Sequence, residues 1–161
     1  MKTKTIITEL TQEDLVNLLC TATYGSNWLS CYAPDREGVV DITEDDCLED
    51  EWAKCLLAGK KITCTDYNAD EGEHYGTLEH YTEEDGQTTY LVSLQDIING
   101  LQKCADGTFI QTNYDESDNG YNEKSWIAKC FQHFKEDTGE MDNPEAESLM
   151  QIILFNELIY G

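Results

Sequence analysis

Basic residues are scarce in this sequence. Across 161 residues there are 10 Lys and Arg against 33 Asp and Glu, and Arg36 is the only arginine. Proline is equally sparse, with Pro34 and Pro144 alone. No Lys or Arg occurs from Ile62 through Gln102, and none follows Lys135. Affinity for phosphate backbones and anionic lipid surfaces comes from Lys and Arg, so direct binding to nucleic acid or membrane is disfavoured. No early stretch joins a basic end to an apolar run, and no run is long enough to cross a bilayer, so neither a signal peptide nor a membrane span is expected. The expected compartment is the cytosol, of the cell that makes the protein or of a host that it enters. The seven cysteines are odd in number, widely spread and free of any C-x-x-C pair, which reads as reduced thiols used mostly in the core.

The motifs of common catalytic sites are missing too. No G-x-G-x-x-G, Walker P-loop or G-x-S-x-G occurs, so the chain is read as a binding protein and not an enzyme. His74 and His80, six residues apart in an extended strand, would lie about 20 Å from each other. A metal site of His74, Glu79 and His80 would need a turn between them. Neither Asp70-Glu71-Gly72-Glu73 nor Asp115 to Gly120 completes a calcium-loop pattern. Cys130 and His133 sit at adjacent helical positions, but Trp126, Phe131 and Phe134 around them indicate core packing. No metal and no cofactor is expected.

What remains is enough to fold. Hydrophobic residues make up 40% and aromatics 10%, and the length suits one domain spanning 1–161. Lys4 to Thr8 is β-branched and suits a strand or an extended arm. Thr11 with Asp14 forms a helix-capping pattern ahead of Leu15, Leu18, Leu19 and Ala22. The stretch from Tyr24 to Val40 reads as a loop folded back on the core. Thr43 with Asp46 repeats the capping pattern, and Leu48, Trp52, Cys55 and Leu56 mark the buried stripe of a second helix stopping at Gly59.

Lys61–Tyr67, His74–Tyr81 and Gln87–Val92 read as strands, the last two joined through the turn at Glu83 to Gly86. Ser93 with Asp96 caps a helix carrying Leu94, Ile97, Ile98 and Leu101, which ends before Gly107. Asn113 to Glu123 is polar and reads as a loop. Trp126, Cys130, Phe131 and Phe134 form another helical stripe. Asn143-Pro144 opens a last helix that is apolar around most of its circumference, so it is either central or in contact with a second subunit as a homodimer. The order predicts an α+β domain, with a small antiparallel sheet of three to four strands packed against about five helices.

The formal charge of -23 far exceeds the magnitude of roughly 2 to 8 that suffices for solubility. Between Asp35 and Glu51 nine carboxylates face only Arg36. A helix running through Asp45, Asp46, Glu49 and Asp50 would set these four in a close double row. With Asp70, Glu71, Glu73, Glu83, Glu84 and Asp85 they are the expected partner-binding surface, a set of anionic groups able to imitate a phosphate backbone on a protein whose own surface is basic. The competing reading is a merely solvated face. Tyr24, Trp28 and Tyr32 around Gly25-Ser26-Asn27 form a candidate aromatic pocket for a flat ligand, such as a signalling nucleotide, although the shortage of Lys and Arg counts against phosphate.

Tyr24-Gly25-Ser26-Asn27-Trp28, Gly59-Lys60-Lys61-Ile62, Leu94 to Gly100 and the stretch Gln151 to Gly161 resemble small acidic proteins of phages and mobile elements in gut bacteria. In size and charge the chain is also similar to anti-CRISPR and anti-restriction proteins. The resemblance implies an anti-defence inhibitor and carries no functional residue over. A non-catalytic assembly protein is the remaining alternative.

Overall fold

The computed structural model describes residues 6–69, 76–83, 86–111 and 122–160. It is an α+β domain of five helices and a four-stranded antiparallel sheet. Helix α1 covers Gln12–Thr23, α2 Leu48–Leu57, α3 Leu94–Asp106, α4 Glu123–Glu136 and α5 Asn143–Phe155. Strand β1 is Leu29–Tyr32, β2 Ile62–Asp66, β3 His80–Thr82 and β4 Thr88–Val92, in the spatial order β1-β2-β4-β3.

Capping chemistry sets most helix starts. At α1, Thr11 accepts from the Asp14 N–H while the Asp14 carboxylate accepts from the Thr11 N–H, both at 3.1 Å. Ser93 and Asp96 repeat this reciprocal pair at α3, and Asp142 with Glu145 does so at α5. Asn122 caps α4 through the Ser125 N–H at 2.7 Å.

At α2 the expected cap is displaced. The Asp46 carboxylate does accept from the Thr43 N–H at 2.8 Å, but this closes a turn and not a helix. The helix begins at Leu48, with Cys47 as its N-cap and Asp50 accepting from the Cys47 thiol. Two patterns of one kind, Thr43/Asp46 and Cys47/Asp50, lie four residues apart, and the chain uses the second. Leu48 is consequently 57% exposed, while Trp52, Ala53, Cys55 and Leu56 are buried.

β1 corrects the loop expected from Tyr24 to Val40. Four residues without clean alternation carry little strand signal, yet Leu29–Tyr32 pairs along β2 from Leu29 opposite Asp66 to Tyr32 opposite Thr63. The strand expected over His74–Tyr81 is also corrected: residues 77–79 are not strand, and the regular part is His80–Thr82, pairing with β4 as the expected hairpin partner. Residues 70–75 lie outside the described residues. The segment from Ile6 to Leu10 is irregular, as an arm would be, and the Ile7 N–H donates to the Gln102 side chain at 2.9 Å.

α5 is the centre of the domain. It packs against α1, α3 and α4, and every residue from Ser148 to Phe155 is buried, so its apolar circumference is used within the chain. It offers no exposed apolar face to a second copy. Gly100 on α3 makes the close approach possible: a Cβ there would stand 2.5 Å from Ile153 Cγ1 and 2.7 Å from its Cα. Phe155 ends α5 inside an aromatic cluster, its ring centroid 5.7 Å from Trp28, 5.6 Å from Tyr90 and 6.2 Å from Tyr160.

Beyond Asn156, whose φ of 60° turns the chain in the left-handed region, the last residues run back along α5. The Gln151 side-chain oxygen, Oε1, accepts from the N–H groups of Ile159 and Tyr160 at 2.7 and 2.8 Å. This places the Tyr160 hydroxyl against both oxygens of Asp66, a fully buried carboxyl group of β2, at 2.9 and 2.7 Å. Asp66 also accepts from the Asn68 N–H at 3.0 Å.

Candidate functional site

Two regions of the surface carry unusual chemistry. The first is the acidic segment from Asp35 to Glu51. A 3-10 turn at Arg36–Gly38 and a run of turns lead into α2, and the few available cations fasten them to it. Arg36 Nη1 lies 3.4 Å from Glu51, and Lys54 Nζ lies 2.8 Å from Asp46 and 2.9 Å from the Asp41 carbonyl. The Lys54 ammonium, with the Thr43 N–H, holds the Asp46 carboxyl below its usual range.

The four expected row residues therefore separate by role. Asp45 is exposed, with Glu44 beside it, in the turn before α2. Asp46 is held by Lys54. Glu49 and Asp50 are half-buried in the first turn of the helix, where carboxylates suit the dipole, and Asp50 serves the cap. No double row on one helix face forms. What forms instead is a patch of exposed Asp35, Glu37, Asp41, Glu44 and Asp45 that also presents Val40, 95% exposed, and Leu48. The sequence signal for Val40 was weak, since one valine beside Gly38 and Val39 does not announce which of the two valines is buried. Glu83 is exposed beside the hairpin turn, while Asp70, Glu71, Glu73, Glu84 and Asp85 lie outside the described residues.

Seven free cysteines accompany this patch, four of them buried: Cys55, Cys64, Cys104 and Cys130. Cys31 and Cys64 face each other across β1 and β2 with sulfurs 3.5 Å apart, and their mutual hydrogen bond, then burial, pushes the Cys31 thiol well up. Burial pushes Cys130 up to about 12. His133 does not turn to Cys130 but pairs through Nδ1 with the buried Glu145 of α5. Cys47 is exposed, yet bonding to Glu49 and Asp50 pushes its thiol up to about 11.

The second region is a cavity of about 580 Å³ between α4, α5, the turn after β2 and the residues that follow α5. The candidate pocket residues part company here. Trp28 forms part of its wall and is 2% exposed, whereas Tyr24 and Tyr32, 82% and 57% exposed, do not line it. Its other rings are Trp126 and Tyr160.

Most polar groups of the wall are satisfied. The Trp126 indole N–H donates to the Ser148 hydroxyl at 2.9 Å, which donates to the Pro144 carbonyl at 2.8 Å. Gln151 is occupied by the segment after α5, and the Tyr160 hydroxyl by Asp66. The Trp28 indole N–H is buried without an acceptor. Sequence reading reached Trp28 but not Trp126 or Tyr160, because the cavity is assembled from segments about a hundred residues apart that no local pattern links.

Among the described residues no group of three or more His, Cys, Asp and Glu is placed to hold a metal, and no helix is long and apolar enough to cross a membrane. The chain matches no protein-family model, no curated protein and no solved structure.

Proposed function

We propose that this chain is a non-catalytic, phage-type anti-defence inhibitor of the anti-CRISPR or anti-restriction kind, acting in the bacterial cytosol on a protein with a basic nucleic-acid-binding surface. The observation that carries the reading is the patch around α2, where exposed Val40 and Leu48 stand among exposed Asp35, Glu37, Asp41, Glu44 and Asp45. Apolar contacts inside a charged rim are the anatomy of a protein interface, and the rim supplies steering and fast association.

The test compares the parent with two variants in cells that carry a CRISPR or restriction system and are challenged with phage. One variant neutralises Asp35, Glu37, Asp41, Glu44 and Asp45 to Asn and Gln, leaving Asp46 to hold Lys54. The other neutralises Glu83, Glu84 and Asp85. Expression of the parent raises phage plating, the first variant loses most of that effect, and the purified parent competes with DNA for the defence protein less well as salt rises. Unchanged protection by the cells' defence with the parent present, or full inhibition by both variants, overturns the reading.

A further inference from the structure

We propose that Cys31 and Cys64 are a reversible redox pair, oxidised to a disulfide by a low-molecular-weight disulfide such as oxidised glutathione, and that the bond closes a covalent loop around the acidic segment. Their sulfurs are 3.5 Å apart, on half-buried Cys31 and buried Cys64. The inference rests on the register of the sheet and does not depend on the function proposed for the acidic patch.

Register suits these two residues to the bond. Cys31 of β1 stands directly opposite Cys64 of β2. Just outside the strands the Tyr67 N–H donates to the Trp28 carbonyl at 2.8 Å, and Trp28 with Tyr67 continues the same register. Bonded and non-bonded pairs alternate along an antiparallel ladder, so Ser30 with Thr65 is a hydrogen-bonded pair and Cys31 with Cys64 is not. Non-bonded pairs hold their Cα atoms about 4.5 Å apart, inside the span of about 4.4–6.8 Å that a disulfide bridges. Both side chains lie on one face of the sheet, Cys64 in the core and Cys31 packed against it. Side-chain rotation that brings the sulfurs to about 2.0 Å therefore needs no change of register.

The chemistry runs from the edge of the sheet inward. β1 is an edge strand of four residues, an element that opens locally at little cost, and opening presents Cys31 to the oxidant. The Cys31 thiolate attacks one sulfur of the small disulfide, displaces a thiolate and is left as a mixed disulfide. The Cys64 sulfur then attacks the Cys31 sulfur and displaces the second thiolate. Two electrons pass to the oxidant, and the two protein protons end on the two thiols released. The hydrogen bond between the pair, and then burial, disfavour the Cys31 thiolate, so oxidation is slow at neutral pH and quickens as the pH rises. In a reducing cytosol the pair rests as two thiols, and a disulfide formed there is transient and redox-sensing. The two residues are 33 apart in sequence, and the loop between them holds Asp35 to Glu51 and the whole of α2, which packs back on β1 and β2. Oxidation thus fastens both ends of the segment that carries the acidic patch.

The experiment incubates the full purified chain in a series of reduced-to-oxidised glutathione ratios, blocks the remaining thiols with N-ethylmaleimide and maps unreduced peptides by mass spectrometry. Cys31 and Cys64 are the first pair to link, dithiothreitol reverses the link, and it forms faster at about pH 9 than at about pH 7. The linked chain melts about 4 to 15 °C higher, because the unfolded chain loses the freedom of the closed loop. Cys31→Ala abolishes the link and the gain in Tm, whereas Cys20→Ala on α1 keeps both. The mapping is made on the parent and so stands even where Cys31→Ala folds poorly. The proposal is overturned if other cysteines link first, if oxidation stops at glutathione adducts, if the pair stays reduced at every ratio, or if the link forms without a rise in Tm. Neither readout involves a partner protein, so failure here is distinguishable from failure of the proposed function.

Discussion

Cys47 is the residue where exposure and reactivity part. Its thiol is open to solvent, but Glu49 and Asp50 accept its proton and repel its anion, so the thiolate forms only as the pH approaches about 11. Alkylation follows the thiolate, so at pH 8 labelling of Cys47 by iodoacetamide is about 100-fold slower than that of an unperturbed thiol and climbs about tenfold per pH unit. Peptide mass spectrometry across pH 7 to 10, taken as about three decades of rate, measures this. The double change Glu49→Gln, Asp50→Asn raises the rate at pH 8, and a fast-labelling Cys47 in the parent refutes the arrangement. Reading the cysteines as reduced core residues holds for Cys55, Cys64, Cys104 and Cys130, which sit on helical or strand stripes. Cys47 escaped that reading because its role is to cap, which the sequence had assigned to Thr43.

Among the elements, α3 and α5 meet at a glycine. Alanine at an ordinary helix position is favoured over glycine by about 0.8–1.0 kcal/mol. At Gly100 the sign reverses, because the new Cβ would need Ile153, backbone included, to withdraw. Gly100→Ala is therefore destabilising by about 1–3 kcal/mol net, measured by urea unfolding. An increase in stability shows that the two helices do not approach this closely. Elements announced by a start signal and a long stripe were legible: α1 and α3 begin at the residues their capping pairs mark, and α5 begins at Asn143-Pro144. β1 was not, because its partner β2 defines it and its own four residues do not. The start of α2 was misplaced because two capping pairs of one kind compete, and the local pattern does not distinguish Thr43/Asp46 from Cys47/Asp50.

The whole molecule carries its charge without matching cations. Lys54, Arg36 and Lys61 each pair with one carboxylate, at Asp46, Glu51 and Glu79, and the remaining excess repels itself through solvent. Screening shortens that repulsion to about 10 Å at 0.1 M salt and lengthens it to about 30 Å at 0.01 M. Thermal stability consequently rises as sodium chloride increases over that interval, and differential scanning calorimetry reads the shift in Tm. A Tm that is flat or falls shows that the carboxylates are individually compensated. The acidity of the surface was plain in the sequence. Its distribution was not: Asp46 and Asp50 are consumed by local structure, and Val40 gains its place only from the way the turns before α2 fold.

The central position of α5 also bears on how the chain is made. Synthesis runs from α1 toward α5, so the sheet and the first four helices leave the ribosome before the helix that buries their inner surfaces exists. Until residue 160 has emerged, Asp66 has no hydroxyl from Tyr160 and the face of α3 at Gly100 has nothing to receive. A nascent chain of this kind holds the apolar stripes of α1, α3 and α4 open until α5 has emerged.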